Sequence, residues 1–117
     1  DNAENFYQEA LEYAESDGFE PTIARCLSNL GFLAVDREKT LDAIQWFEKA
    51  LPLARLAGGF LLNASVAYEL AVLQQKEGRI DLALPLAKEA LKIYERLRHA
   101  RVAEMQKFVE ELEKAEG

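Results

Sequence analysis

Apolar residues along this chain recur at spacings of three and four. Ala3, Phe6, Tyr7, Ala10, Leu11 and Ala14 lie on one broad face of a 3.6-residue helix. Leu41, Ile44, Phe47, Leu51 and Ala54 draw the same stripe further on. β-Branched residues are few and no useful run alternates with period two, so strands find no support. Turn signals fall between the stripes. "SDG" (16–18) and "GG" (58–59) fit left-handed caps that end helices, and Pro21 fits a first helical turn. "DREKT" (36–40) and "KEGRID" (76–81) read as polar connectors. The pattern predicts six helices, at about 2–16, 21–35, 40–57, 60–77, 81–97 and 100–115. Pro85 falls near the start of its helix and is tolerable there. Pro52 lies well inside another, where the lost N–H predicts a bend rather than a break.

A shift of forty residues superimposes the chain on itself. Ala3, Ala43 and Ala83 align, as do Ala10, Ala50 and Ala90, and Leu11, Leu51 and Leu91. Phe6, Trp46 and Leu86 share a register, and so do Tyr7, Phe47 and Ala87. A second set recurs twice: Ala24/Ala64, Cys26/Val66, Leu27/Ala67, Leu30/Leu70, Gly31/Ala71 and Leu33/Leu73. Repetition at this period implies stacked supersecondary units, each burying its apolar face against the next.

These residues resemble the tetratricopeptide signature, W-x2-L-G-x2-Y followed by A-x3-F and a second Ala. One repeat offers Leu27, Leu30-Gly31 and Ala34, then Ala43, Phe47 and Ala50. The next offers Ala67, Leu70-Ala71 and Gln74, then Ala83, Ala87 and Ala90. The signature Trp and Tyr are absent, and Arg55 and Glu95 stand where the family often has Pro. The forty-residue period and "LSNLGFLAV" (27–35) are similar to a long-helix subclass found in kinesin light chains, Leu-Gly-Asn-repeat scaffolds and bacterial regulators. The resemblance implies an all-α solenoid, with antiparallel helix pairs in a right-handed superhelix. Its parts would be the second helix of an incomplete repeat (2–18), repeat one (21–57), repeat two (60–97) and a capping helix (100–115). In the cap, Val102, Met105, Val109 and Leu112 form a narrow apolar stripe, with Glu104, Lys107, Glu110, Glu111, Glu113 and Lys114 around it. The incomplete repeat and the opening Asp1 lead us to expect the C-terminal portion of a longer repeat protein.

Composition narrows the function classes. The 117 residues are 50% hydrophobic and 30% charged, with a formal charge of −7. That suits one folded domain and argues against a phosphate-backbone partner, which needs clustered Lys and Arg. No apolar run is long enough to cross a bilayer, so no membrane contact is expected. A single Cys makes no internal disulfide, which makes a cytoplasmic setting the default.

No catalytic constellation is visible. Phosphate-binding, dinucleotide-binding and nucleophile-elbow patterns are absent. His99 is the only histidine, and one His with one Cys is too few for a typical zinc site. Cys26 aligns with Val66 and reads as core volume. Glu9, Glu12 and Glu15 read as solvated charge. The expectation is a non-enzyme that needs neither cofactor nor metal.

In the resembled family, the first helix of each pair lines a concave groove. Subtracting the packing registers leaves Arg25, Ser28, Asn29, Phe32 and Val35 on 21–35. It leaves Ser65, Tyr68, Glu69, Val72 and Gln75 on 60–77. Phe32, Tyr68 and Val72 are then expected as exposed anchors. Asn29 either holds a ligand's backbone, as the resemblance implies, or is an ordinary surface residue. The chaperone-carboxylate grip of some relatives is not expected, because Ser28, Phe32, Tyr68 and Val72 replace its Lys and Asn. The expected function is capture of a protein or peptide partner. Two alternatives stand beside it: a homodimer through the uncovered first helix, and a sensor segment of a multidomain signalling ATPase or transcription regulator.

Overall fold

A computed structural model describes residues 2–117. Six α-helices follow one another: α1 (Asn2–Asp17), α2 (Glu20–Asp36), α3 (Thr40–Leu53), α4 (Phe60–Lys76), α5 (Ile80–Arg96) and α6 (Val102–Glu116). There is no strand among the described residues. Each helix packs on its sequence neighbours, α1 on α2 through to α5 on α6, giving an elongated stack of 44 × 29 × 21 Å. Antiparallel pairs piled in this way form a helical solenoid.

The repeat registers are the core. Ala43, Ala50, Ala64, Ala67, Ala83, Ala87 and Ala90 are fully buried, and their small side chains let adjacent helices approach closely. Gly31 goes further: a Cβ there would lie 2.6 Å from the ring of fully buried Phe47. One repeat later the same registers hold Ala71 and Ala87, so a gain at one position accompanies a loss at its neighbour. Met105, Val109 and Leu112 bury one side of α6, while Glu104, Lys107, Glu110, Glu111, Glu113 and Lys114 are exposed.

Helix exits repeat as faithfully as helix faces. The N–H of Phe19 donates to the carbonyl of Ala14, Lys39 to Ala34, Arg79 to Gln74, and His99 to Tyr94. The residue before each donor is left-handed: Gly18, Glu38, Gly78 and Arg98 have φ of 71°, 59°, 75° and 52°. This is the Schellman cap, which satisfies carbonyls that the last helical turn leaves without partners. Two of the four positions hold residues with a Cβ, which pay the steric penalty of that backbone.

The chain leaves α3 differently. Pro52 sits inside α3 without ending it, and the helix then widens into a π turn over Ala54–Gly58. The perturbation at Pro52 is therefore followed by a change in helical register. A missing N–H and a crowding ring loosen the preceding turn, and a wider turn is one way to absorb that. Gly59 also departs from expectation. With φ 85° and ψ 161° it is not left-handed helical, and it serves as the residue from which α4 starts. The joint is clamped from outside. Arg55 donates from Nε and Nη2 to the two carboxylate oxygens of Glu89, at 2.9 and 2.6 Å, and Asn63 Nδ2 donates to Glu89 at 2.7 Å.

Candidate partner-binding groove

Helices α2 and α4 carry every residue of the sequence-derived groove set, and the structure divides that set. Arg25 is exposed. Asn29, Phe32, Val35, Ser65, Tyr68, Glu69, Val72 and Gln75 are half-buried. Ser28 does not belong: it is 1% exposed, and its hydroxyl donates to the Ala24 carbonyl at 2.7 Å. A serine satisfied by its own helix can sit in the core, which subtraction by polarity overlooks.

The aromatic anchors are less free than expected. Phe32 packs edge-to-face on Phe47 at 5.2 Å between centroids. Tyr68 packs in the same way on Phe108 of α6, at 5.7 Å, and the Arg101 guanidinium lies 4.3 Å from its ring centroid. One face of each ring system therefore belongs to the fold. Phe108 lies outside the stripe that the cap sequence suggests, yet it is what brings α6 against Tyr68.

Charge at this surface is organised around Arg101. It donates to both Glu104 oxygens, at 3.1 and 3.4 Å, and to the Tyr94 hydroxyl at 3.4 Å. The bond from Arg101 holds the Glu104 carboxyl below its usual range. Burial pushes the Glu69 carboxyl up, with Arg101 opposing and Asp36 adding to the rise. Burial also raises the Tyr68 hydroxyl. His99 Nδ1 accepts the Arg101 backbone N–H at 3.1 Å, a local role at the start of α6. Cys26 is buried, and that burial raises its thiol.

A depression joins the two helices. Arg25 and Ser65, both expected in the groove, line it together with Phe60, Leu61, Leu62 and Leu97. Phe60 and Leu61 are each 57% exposed and Leu97 is 40% exposed. These apolar residues are absent from the sequence-derived set. Their signal is nevertheless in the sequence: they are large side chains at helix ends, off the repeating core registers.

Among the described residues, no group of three His, Cys, Asp or Glu could hold a metal ion, and no helix is long and apolar enough to cross a membrane. No curated protein matches this chain in sequence. The family model of the tetratricopeptide repeat matches residues 1–56 and again residues 22–96. Those two spans take in α1 through α5, the region in which the forty-residue registers and the buried alanines coincide. The chain belongs to the tetratricopeptide repeat family.

Proposed function

We propose that this chain is a non-catalytic interaction module that captures a segment of a protein partner in the groove between α2 and α4. Repeats of this family generally serve protein–protein recognition. The observation that carries the reading is the cluster of Phe60, Leu61 and Leu97, exposed beside Arg25 and Ser65 in one depression. Apolar side chains held open to water next to a cation suit a partner segment that brings apolar anchors and an acceptor group. Asn29 and Gln75 add amides that both donate and accept, as recognition of a peptide backbone requires. The forty-residue period supports reading the chain as similar to the long-helix subclass. We read α1 as the second helix of an incomplete repeat, 21–57 and 60–97 as complete repeats, and α6 as a cap.

The test is selection of binding peptides from a displayed library, followed by calorimetric titration. Leu61→Glu with Leu97→Glu should lower affinity at least tenfold and leave thermal unfolding nearly unchanged. Ser28→Ala should alter neither. Peptides that bind the Leu61/Leu97 variant as tightly as the parent would refute the groove.

A further inference from the structure

The connectors give the stack two unlike edges. Consecutive helices run antiparallel, so the joints α1–α2, α3–α4 and α5–α6 lie along one edge, and the joints α2–α3 and α4–α5 along the other. On the second edge Glu38, Lys39, Glu77 and Arg79 stand exposed, a solvated mixture of both signs, with Leu41 and Leu82 open beside them. The first edge carries apolar surface at every joint. Phe19 is 55% exposed at the first, Leu56 is 77% exposed at the middle one beside Phe60 and Leu61, and Leu97 is open at the last. Two depressions that share Gly59 and Phe60 connect Leu56 on one side with Leu61 and Leu97 on the other. Large apolar side chains gathered in this way are costly to leave in water and mark an interaction surface.

Charge is graded along the same edge. The sequence has no Lys or Arg before Arg25, and Asp17 and Glu20, which end α1 and begin α2, are exposed at the first joint. Arg96 and Arg98 are exposed at the last joint, on either side of Leu97, while Glu95 falls on the opposite side of α5 from Leu97. Among the described residues Asp17, Glu20, Arg96 and Arg98 form no ion pair. Between the two ends Arg25 lines the depression, and Arg55 and Glu89 neutralise each other beside it. The edge therefore runs from acidic through apolar to basic.

A twofold contact uses one patch twice, so that each end of the patch meets the other end of its copy. Two of these edges, set antiparallel about the middle joint, bring Asp17 and Glu20 of one copy against Arg96 and Arg98 of the other, and do so at both ends. Apolar surface then meets apolar surface between them. The four charges cancel within one chain, so its formal −7 is carried elsewhere and opposes this contact less than any meeting of its acidic faces. An unrelated partner must present the same gradient in reverse, which a second copy already does.

We propose that this edge forms a twofold homodimer, with Leu56, Phe60 and Leu61 of both copies at its centre and Asp17 and Glu20 of each copy paired with Arg96 and Arg98 of the other. It rests on reading the Phe60, Leu61 and Leu97 depression as a binding surface, and makes a second copy its occupant, in competition with any captured peptide. Sedimentation equilibrium tests it. The parent should dimerise. Leu56→Glu changes an exposed side chain outside the peptide depression, and should leave a monomer with unchanged circular dichroism. Asp17→Arg with Glu20→Arg makes both ends of the edge basic, and Arg96→Glu with Arg98→Glu makes both acidic. Each variant alone should dimerise at least tenfold more weakly than the parent, and an equimolar mixture of the two should recover a heterodimer. Glu38 already occupies the left-handed cap position that Arg98→Glu would fill, so the fold accepts that change. Three results would overturn the dimer: a parent that stays monomeric at millimolar concentration, a Leu56→Glu chain that dimerises as the parent does, or a mixture that stays monomeric although both variants fold. Peptides that bind a monomeric parent and require Leu61 would leave the groove standing while the dimer falls. A heterodimer from the mixed variants, with no peptide selected, would do the reverse.

Discussion

Gly31→Ala is a small change with two opposed consequences. In an exposed helix interior it would stabilise by about 1 kcal/mol, because glycine loses more backbone freedom on folding. Here the new Cβ would meet Phe47 Cε1 at 2.6 Å and Cδ1 and Cζ at 2.8 Å, well inside ordinary contact. The ring has no room to retreat. Phe47 is fully buried and braced edge-on by Phe32. Overpacking of this kind costs about 1–3 kcal/mol. The net expectation is a loss of about 1 kcal/mol, or about 4 °C in Tm for a chain of this length. Urea and thermal unfolding followed by circular dichroism would measure it. A second background isolates the cause. With Phe47→Leu already in place the collision is relieved, and Gly31→Ala should then be neutral or stabilising by up to about 1 kcal/mol. A rise in Tm for Gly31→Ala in the parent chain would refute the reasoning, since it would mean that the ring is not held where its burial implies.

Two further outcomes bear on the joint and on the last helix. The bonds from Arg55 and Asn63 hold the Glu89 carboxyl below its usual value of 4.5, against the opposing effect of burial. A depressed carboxylate stabilises fully above that usual value, and the contribution disappears as pH falls through the folded-state pKa. Tm measured against pH should therefore fall more steeply on the acid side for the parent than for Glu89→Gln, and parallel curves would count against the clamp. Met105→Ala removes a fully buried side chain from α6 and should cost about 2–5 kcal/mol in denaturant unfolding, whereas a cost below about 1 kcal/mol would mean that α6 packs only loosely.

The period carries most of the fold. Ala43, Ala83 and Ala90 are recognisable as core because a residue that must be small in one repeat must be small in the next. The helix ends other than that of α3 follow within a residue or two, since Gly18 and the polar connectors mark them directly. Pro52 is legible as a disturbance, but a lost N–H does not say how the backbone redistributes its turns, so the π turn at Ala54–Gly58 is not. The groove set comes from removing core registers and keeping what is polar or out of phase. That rule fails for Ser28, whose hydroxyl bonds to its own helix. It also misses Leu61 and Leu97, because amphipathic periodicity identifies residues that pack and is silent on apolar ones left outside. The contact of Tyr68 with Phe108 depends on where α6 crosses, a tertiary fact with no local signature.

The four matching helix exits bear on how such a molecule can lengthen. Because Ala34/Lys39 and Gln74/Arg79, one period apart, close with one bonding scheme, a stretch of coding sequence copied from the first of these exits to the second would join without mismatch at either seam. Such a cassette would arrive with its own terminator and its own socket for the next hairpin. Copies cut at the π turn would not enjoy this, since that seam depends on Arg55 finding Glu89 across two different helices. Gene duplication would thus have favoured breakpoints at some connectors over others.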